Sequence, residues 1–482
     1  MNSNQLAVTI FGLLYFAFII FTRKKGNFEE FSVAGRSLGF FLIFSSICAS
    51  YIGPGWTMGL TRQGYASGMF MAYIVPFCGI GLAVVGLILV PTIRNKFVNS
   101  YSIGDLVGGE NGHDHKIIKI ASGLVSLLFV SSITVAMSYA GGELINNVFG
   151  FSKIWSIIIM TSIVIIYSYF GGIRATIQTD AIQFLLFIIL IPILALLVVF
   201  NQSFSWEEYS AIVSVKTTDT INLEPATAIV GMALLWLLSA CGLDSTGLGR
   251  VLASKNSKIA RNAMFAAGIF MAIWFVLMIF IGSAGYYLYP DLGDNDQVLL
   301  QIASNNFPGI LYGIFIIAMI GVVMSSQDTL LNASSVLFSE DIVGGLLPSF
   351  PENKKLLVAK SYTVCLGITS ILIASTLSSV LGAIMTVTEY YIPIMIPVII
   401  FSVVKETCHW QSALTAMSVG FLSYIAWKNI DGEMIPELMM ALILSSISYL
   451  FSDYIIDTKF KKSPQKINKH RSDGNPPIFN RS

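Results

Sequence analysis

The chain has 482 residues, of which 55% are hydrophobic and only 11% charged, with a formal net charge of +1. Soluble domains carry roughly 25% charged residues, so with a mean hydropathy of +0.75 this chain is excluded from that class. A net charge near zero gives no reason to expect a nucleic-acid partner, and the information in the charges lies in where they stand.

Apolar runs of about 20 residues, the length that crosses a bilayer core, lie near 5–22, 38–60, 67–92, 116–147, 153–171, 175–200, 226–250, 259–288, 308–338, 356–377, 380–404, 411–428 and 435–456. The expectation is an all-α polytopic membrane protein of about 13 spans. The first run ends in Thr22-Arg23-Lys24-Lys25 and lacks a small-residue cleavage site, so it reads as a retained span. Alternate connections carry Arg23 to Lys25 and Arg36, then Arg94 and Lys96, then Arg174, then Arg250, Lys255, Lys258 and Arg261. Lys354, Lys355, Lys360 and Lys405 follow, and the tail adds Lys459, Lys461, Lys462, Lys466, Lys469 and Arg471. The opposite connections hold Glu207, Glu208, Asp219, Asp291, Asp294 and Asp296. That alternation predicts an outside N-terminus and an inside C-terminus.

The second span contains Ala49-Ser-Tyr-Ile-Gly-Pro-Gly-Trp-Thr57. Gly53, Pro54 and Gly55 interrupt it at mid-bilayer depth, where proline removes a donor and glycine weakens a helix. Carbonyls freed there need partners that hydrocarbon cannot supply. Five spans later, Ala240-Cys-Gly-Leu-Asp-Ser-Thr-Gly-Leu-Gly249 is a second glycine-rich interruption, with Gly242 and Gly247 as its break points. Two interrupted helices at matching places in two five-helix halves are the pattern of inverted-repeat transporters; glycines serving close helix packing are the alternative. The expected division is 1–36 as an N-terminal extra span and cytoplasmic loop, 37–200 and 201–404 as the two five-helix repeats, 405–457 as two additional C-terminal spans, and 458–482 as a polar, basic, disordered tail.

Ionisable and hydroxyl groups inside spans are functional candidates, because an unpaired charge there costs several kcal/mol. Met324-Ser-Ser-Gln-Asp-Thr329 places Ser325, Ser326, Asp328 and Thr329 within one and a half turns, a set of oxygens suited to a small hard cation. Serines bonding back to the preceding turn are the bland reading. Asp180 lies two turns into the sixth span, after Gly171-Gly172 and Arg174, and must pair or bind a cation. Asp244 at the second break is the leading solute contact, with a salt bridge to Arg250 as the structural alternative. Trp56 stacks on a solute or simply packs, and Glu143 and Glu389 are weaker gate candidates. Cys48, Cys78, Cys241, Cys365 and Cys408 are scattered, which argues against a disulfide or transition-metal site. No nucleotide-binding Gly-rich loop and no histidine–carboxylate pair at ligand spacing appears, so neither ATP nor an enzymatic activity is expected.

Phe31-Ser-Val-Ala-Gly-Arg-Ser-Leu-Gly39, Gly64-Tyr-Ala-Ser-Gly68, Gly171-Gly172 with Thr179-Asp180-Ala-Ile-Gln183, Gly249-Arg-Val-Leu-Ala-Ser254 and Met324 to Ser335 ending at Asp341-Ile342 occur in that order. With these motifs the chain resembles the sodium/solute symporter family, which includes carriers of proline, sugars, pantothenate, choline and sialic acid. The resemblance implies a LeuT-type fold of two inverted five-helix repeats. It also implies a sodium site on the carbonyls of Ala49, Ile52 and Val322 and the hydroxyls of Ser325 and Ser326. Some members have a second sodium site, whose positions fall on Asp180, Asp328 and Thr329; Asp328 and Thr329 depart from its paired serines. An aromatic cage of the choline-carrying kind would need tryptophan where this chain has Asp244.

The expectation is therefore a sodium-coupled symporter in the cell membrane, importing a small polar organic solute such as an amino acid, a sugar or a quaternary ammonium compound. Expected solute contacts are Ser50, Trp56, Tyr139, Asp244 and Ser245. Na+ is the only metal expected, with no organic cofactor, and the partners are the solute, sodium and the lipid bilayer. A proton-coupled or sodium-independent carrier of the same fold is one alternative, and a membrane sensor or channel is another.

Overall fold

The computed structural model describes residues 27–462 apart from 240, 293–296, 378 and 431–434, with side chains beyond 458 left out. The expected first span at 5–22 with Arg23, Lys24 and Lys25, the acidic Asp294 and Asp296, and the basic tail side chains from Lys459 onward lie outside the described residues.

The long elements are helices: α1 Phe28–Val33, α2 Phe40–Tyr51, α3 Leu60–Ser67, α4 Pro76–Ile88, α5 Lys116–Phe149, α6 Lys153–Val199, α7 Trp206–Leu223, α8 Ala226–Ser239, α9 Ser245–Ala253, α10 Ser257–Leu288, α11 Val298–Asn306, α12 Gly309–Leu337, α13 Glu352–Ala374, α14 Val380–Val404, α15 Trp410–Lys428 and α16 Glu437–Lys462. Eight helices among the described residues are long and apolar enough to cross a membrane, and two bent helix pairs raise that to ten. Helix α6 has 47 residues, about 70 Å at 1.5 Å per residue, far longer than one crossing. It turns at Gly172, whose φ of 65° takes the chain through the left-handed region, so the expected boundary between the fifth and sixth spans falls on this residue. One connection differs from expectation. The connection 201–225 contains helix α7, capped by Ser205 and carrying Glu207, Glu208 and Asp219, and it meets α8 at 103°.

The two interrupted helices lie at the centre. Helix α2 stops at Tyr51 and the chain resumes beyond Pro54, with a 60° bend between the two halves. Helices α8 and α9 flank the second interruption, where Gly242 has φ 80° and a Cβ would stand 1.8 Å from Met264 Cε. The stretches entering the first interrupted helix and leaving the second are joined: Leu38 N–H donates to Ala253 (3.1 Å) and Lys255 N–H to Leu38 (2.9 Å). Around them α12 packs on α5 and α6, and α10 packs on α3 and α4.

Where the chain leaves the membrane, charges are tied into the fold. Lys119 bridges Asp105 and Glu340, Lys355 reaches Glu340 at 2.7 Å, and Asp341 accepts from Ser102 and from the Gly104 N–H. Arg174 pairs with Glu30 and donates to the Ala34 carbonyl. The C-terminal hairpin α15–α16 is held to this face by Lys405–Asp453, His409–Asp457 (2.9 Å) and His113, whose ring nitrogens meet Tyr449 Oη (2.9 Å) and the Val107 carbonyl (2.8 Å).

His113 lies in the connection before α5, and burial lowers its pKa to about 4 from 6.5, with Lys96 and His409 adding to the lowering and Asp453 opposing it. A group whose folded pKa lies below its unfolded value stabilises fully above the unfolded pKa and loses that contribution as pH falls. Thermal stability in detergent should therefore drop between pH 6.5 and 4, by up to about 3 kcal/mol from this residue. His113→Gln should flatten that limb; an unchanged acid limb in the variant would assign it to other groups.

Candidate functional site

The first break follows from its residues. Pro54 has no N–H, so the Ser50 carbonyl loses its helical donor and is met by Ser326 Oγ from α12 (3.3 Å). The Trp56 and Thr57 N–H groups both donate to the Gly53 carbonyl (3.0 Å each), which leaves the Ile52 carbonyl outside the helical ladder. Ser325 Oγ reaches the Ala49 carbonyl at 3.1 Å, and both serines also contact the Val322 carbonyl, at 3.0 and 3.2 Å. The serines thus bond back to the preceding turn and across to the broken helix at once. Ala49, Val322, Ser325 and Ser326 bring four oxygens together with separations near 3 Å. Gly53 permits this approach, because a Cβ there would lie 2.6 Å from Ser326 Oγ.

One turn further along α12, Asp328 is fully buried and neither carboxylate oxygen has a hydrogen-bond partner among the described residues. The Tyr167 hydroxyl lies beside it but donates to the Met324 carbonyl (3.0 Å). Asp180 faces the same region from α6. Its Oδ2 accepts from Ser46 Oγ (2.5 Å) and lies 3.3 Å from Arg250, while its Oδ1 has no partner.

Arg250 is the residue that the sequence misplaces. Among the inside-loop cations it looks solvated, yet in α9 it is 2% exposed and bonded to Ser46, Ser50, Thr246, Asp180 and Thr329. Thr329 Oγ1 therefore accepts from Arg250 and meets Ser50 Oγ (3.2 Å), and no hydrogen bond joins it to Asp328 or Asp180 among the described residues. The sequence signal was present in Gly249-Arg-Val-Leu-Ala-Ser254, but nothing local says that the side chain turns inward.

Between the two breaks lies a cavity of about 50 Å³. Its polar side is Ser50, Tyr51, Asp244, Thr246 and Thr388, and its apolar side is Trp56, Phe129, Ile133, Met137, Leu330 and Ile384. Trp56 is itself braced by Trp236 (centroids 4.8 Å apart) and Phe275 (5.5 Å). Asp244 N-caps α9, accepting from the Thr246 N–H (2.7 Å), the Gly247 N–H (3.2 Å), Thr246 Oγ1 and Tyr51 Oη. It makes no salt bridge to Arg250, whose charge goes to Asp180.

Two expected contacts fall elsewhere. Tyr139 lies beneath Lys153 Nζ (4.4 Å from the ring centroid) and Ser245 lines a separate, smaller cavity; neither is among the residues around the central one. Glu143 accepts from Gln297 (3.0 Å), and Glu389 accepts from Tyr424 (2.6 Å).

The geometry has relatives. The chain is 26% identical over 464 residues to a sodium/proline symporter of Escherichia coli K12, covering 91% of this chain and 90% of that protein. A sodium/pantothenate symporter of Haemophilus influenzae is 23% identical, with coverage of 95% and 96%. The fold superposes on a Na+-coupled sialic acid symporter solved in a substrate-bound outward-open state, with a TM-score of 0.82 at 18% identity, over 95% of this chain and 98% of that one. That match makes the architecture LeuT-type. The model of the sodium:solute symporter family matches residues 31–420, so the chain, a multi-pass membrane transporter and not an enzyme, belongs to that family and couples sodium to the import of a small organic solute.

Proposed function

We propose that sodium binds where the first break meets α12, held by the carbonyls of Ala49, Ile52 and Val322 and the hydroxyls of Ser325 and Ser326. The observation that carries this is the convergence of the Ala49 and Val322 carbonyls with the two serine hydroxyls across two helices at 3.0–3.2 Å. A hard cation with oxygens at about 2.4 Å has neighbouring ligands about 3.4 Å apart. A small expansion therefore turns this cluster into a coordination shell.

A second cation sits between Asp180 and Asp328. Three carboxylate oxygens there lack partners, and Arg250 balances only one of the two charges. Burying an uncompensated carboxylate is costly, so a cation at this point lowers the energy of the fold. Asp328→Asn should keep or raise thermal stability in sodium-free buffer while the Hill coefficient for sodium-driven uptake falls from about two toward one. An unchanged sodium dependence would rule the second cation out.

The solute occupies the central cavity against Trp56, with Ser50, Tyr51, Thr246 and Thr388 offering hydrogen bonds. Asp244 contributes a fixed negative charge that is already solvated by protein donors. Helices α2 and α9 belong to opposite repeats, 37–200 and 201–404, so ion and solute both bridge the halves and each raises the other's affinity. The protein works in the cell membrane with its N-terminus outside, driven by no nucleotide and no organic cofactor. Proline, pantothenate and sialic acid, the solutes named for its relatives, are the first to test. A thermal-shift screen with and without sodium reads binding by mass action, and proteoliposomes with sodium and proton gradients imposed separately read coupling. Uptake driven by a proton gradient alone would overturn the sodium assignment.

A further inference from the structure

Below the central cavity lies the smaller one, lined by Tyr101, Ser102, Ser245, Arg250 and Asn332, and Thr329 lines both. The Arg250 guanidinium stands between them, beside the direct contact of Ser50 Oγ with Thr329 Oγ1 (3.2 Å). Arg250 Nε donates to Ser46 Oγ (3.1 Å) and one terminal nitrogen donates to the Thr246 carbonyl (3.0 Å). The other terminal nitrogen reaches Ser50 Oγ and Thr329 Oγ1 at 2.5 Å each and lies 3.3 Å from Asp180 Oδ2. These partners come from α2, α6, α9 and α12, so the planar fork ties both broken helices to the two helices that face them.

We propose that Arg250 is the gate that closes the solute cavity toward the side of the lower cavity. This rests on reading the central cavity as the solute path. A guanidinium is rigid, always charged and rich in donors, and three of its partners here, Ser50, Thr246 and Thr329, line the central cavity. Solute cannot pass between Ser50 and Thr329 until the fork that holds them leaves and their own 3.2 Å contact opens. A buried cation does not move unless new acceptors await it. The lower cavity supplies them: Ser245 Oγ is buried there and has no partner among the described residues, and Asn332 also lines it. Asp180, on α6, is the partner that the cation in its own site also contacts, which links occupancy of that site to the hold on the gate.

The test reads access and needs no known solute. In a background with Cys365 and Cys408 replaced by serine, Met137→Cys marks the upper cavity and Ala333→Cys the lower one. A membrane-impermeant maleimide is applied to one face of proteoliposomes at a time, and the face that labels Ala333→Cys is the gated side. From that face Met137→Cys should resist labelling in the parent. It should label at least about tenfold faster with Arg250→Ala, and by an intermediate factor with Arg250→Lys or Thr329→Val. If Arg250→Ala does not reach the membrane, the other two variants decide. The gate is refuted if Met137→Cys labelling is unchanged in them while Ala333→Cys still labels. If maleimide on Met137→Cys leaves sodium-driven uptake of the identified solute intact, the reading of the cavity as solute path fails instead, whatever the labelling rates.

Discussion

Replacing Ser325 and Ser326 together with alanine should raise the sodium concentration for half-maximal uptake by at least about a hundredfold. The double change removes two of the five oxygens assigned to the ion. Hydrogen bonds to charged groups contribute about 1.5–3 kcal/mol each, and two such losses amount to between two and four factors of ten. The fold should survive, because each hydroxyl makes only neutral bonds to the Ala49, Ser50 and Val322 carbonyls, worth about 1 kcal/mol apiece. Two readings check this on one preparation: sodium titration of uptake, and the sodium-induced rise in melting temperature. If the variant kept its sodium response within about threefold of the parent, the ion would have to bind elsewhere.

The second large effect lies at Asp180. Removing one partner of a buried ion pair costs about 3–5 kcal/mol, because the other charge is left unpaired in a low-dielectric interior. Arg250 would be that charge, since Asp180 is its only anionic partner among the described residues. Asp180→Ala should therefore sharply lower thermal stability and the amount of protein that reaches the membrane. Combining it with Arg250→Met should restore part of the stability by removing the stranded charge, yet transport should stay absent, since gate and second cation are both lost. Recovery of transport in the double variant would mean that the pair serves the fold alone. If Asp180→Ala melted like the parent, the buried pair would be energetically idle.

Much of this protein is legible in one dimension. Nearly every expected span among the described residues is a helix within a few residues of its predicted bounds, because the bilayer forces backbone groups to pair within a segment and imposes a length. The break at Gly53-Pro54-Gly55 was equally plain. A missing N–H and two glycines weaken a helix wherever it is placed, and the carbonyls they release must be met by something. Helix α7 was not legible as a helix, since Trp206 to Leu223 is too polar to read as a span.

The solute side was harder. Asp244 reads from the sequence as a charge in search of a ligand; in the structure the turn after Gly242 folds its carboxylate back onto the N–H groups of α9, where it caps the helix. Tyr139, in a span, and Ser245, at the second break, read from the sequence as solute contacts; in the structure Tyr139 meets Lys153 and Ser245 lines the smaller cavity. Side-chain direction depends on packing, and packing is not written in spacing.

Sequence alone thus determined the membrane class, the two breaks and the oxygen-rich turn on α12, because each follows from local chemistry in a hydrocarbon solvent. Only the tertiary structure decided where the charges meet. Arg250 stands six residues from Asp244 but pairs with Asp180, 70 residues away. It is buried and not solvated, because α9 carries its one cation to Asp180, the anionic partner it has among the described residues.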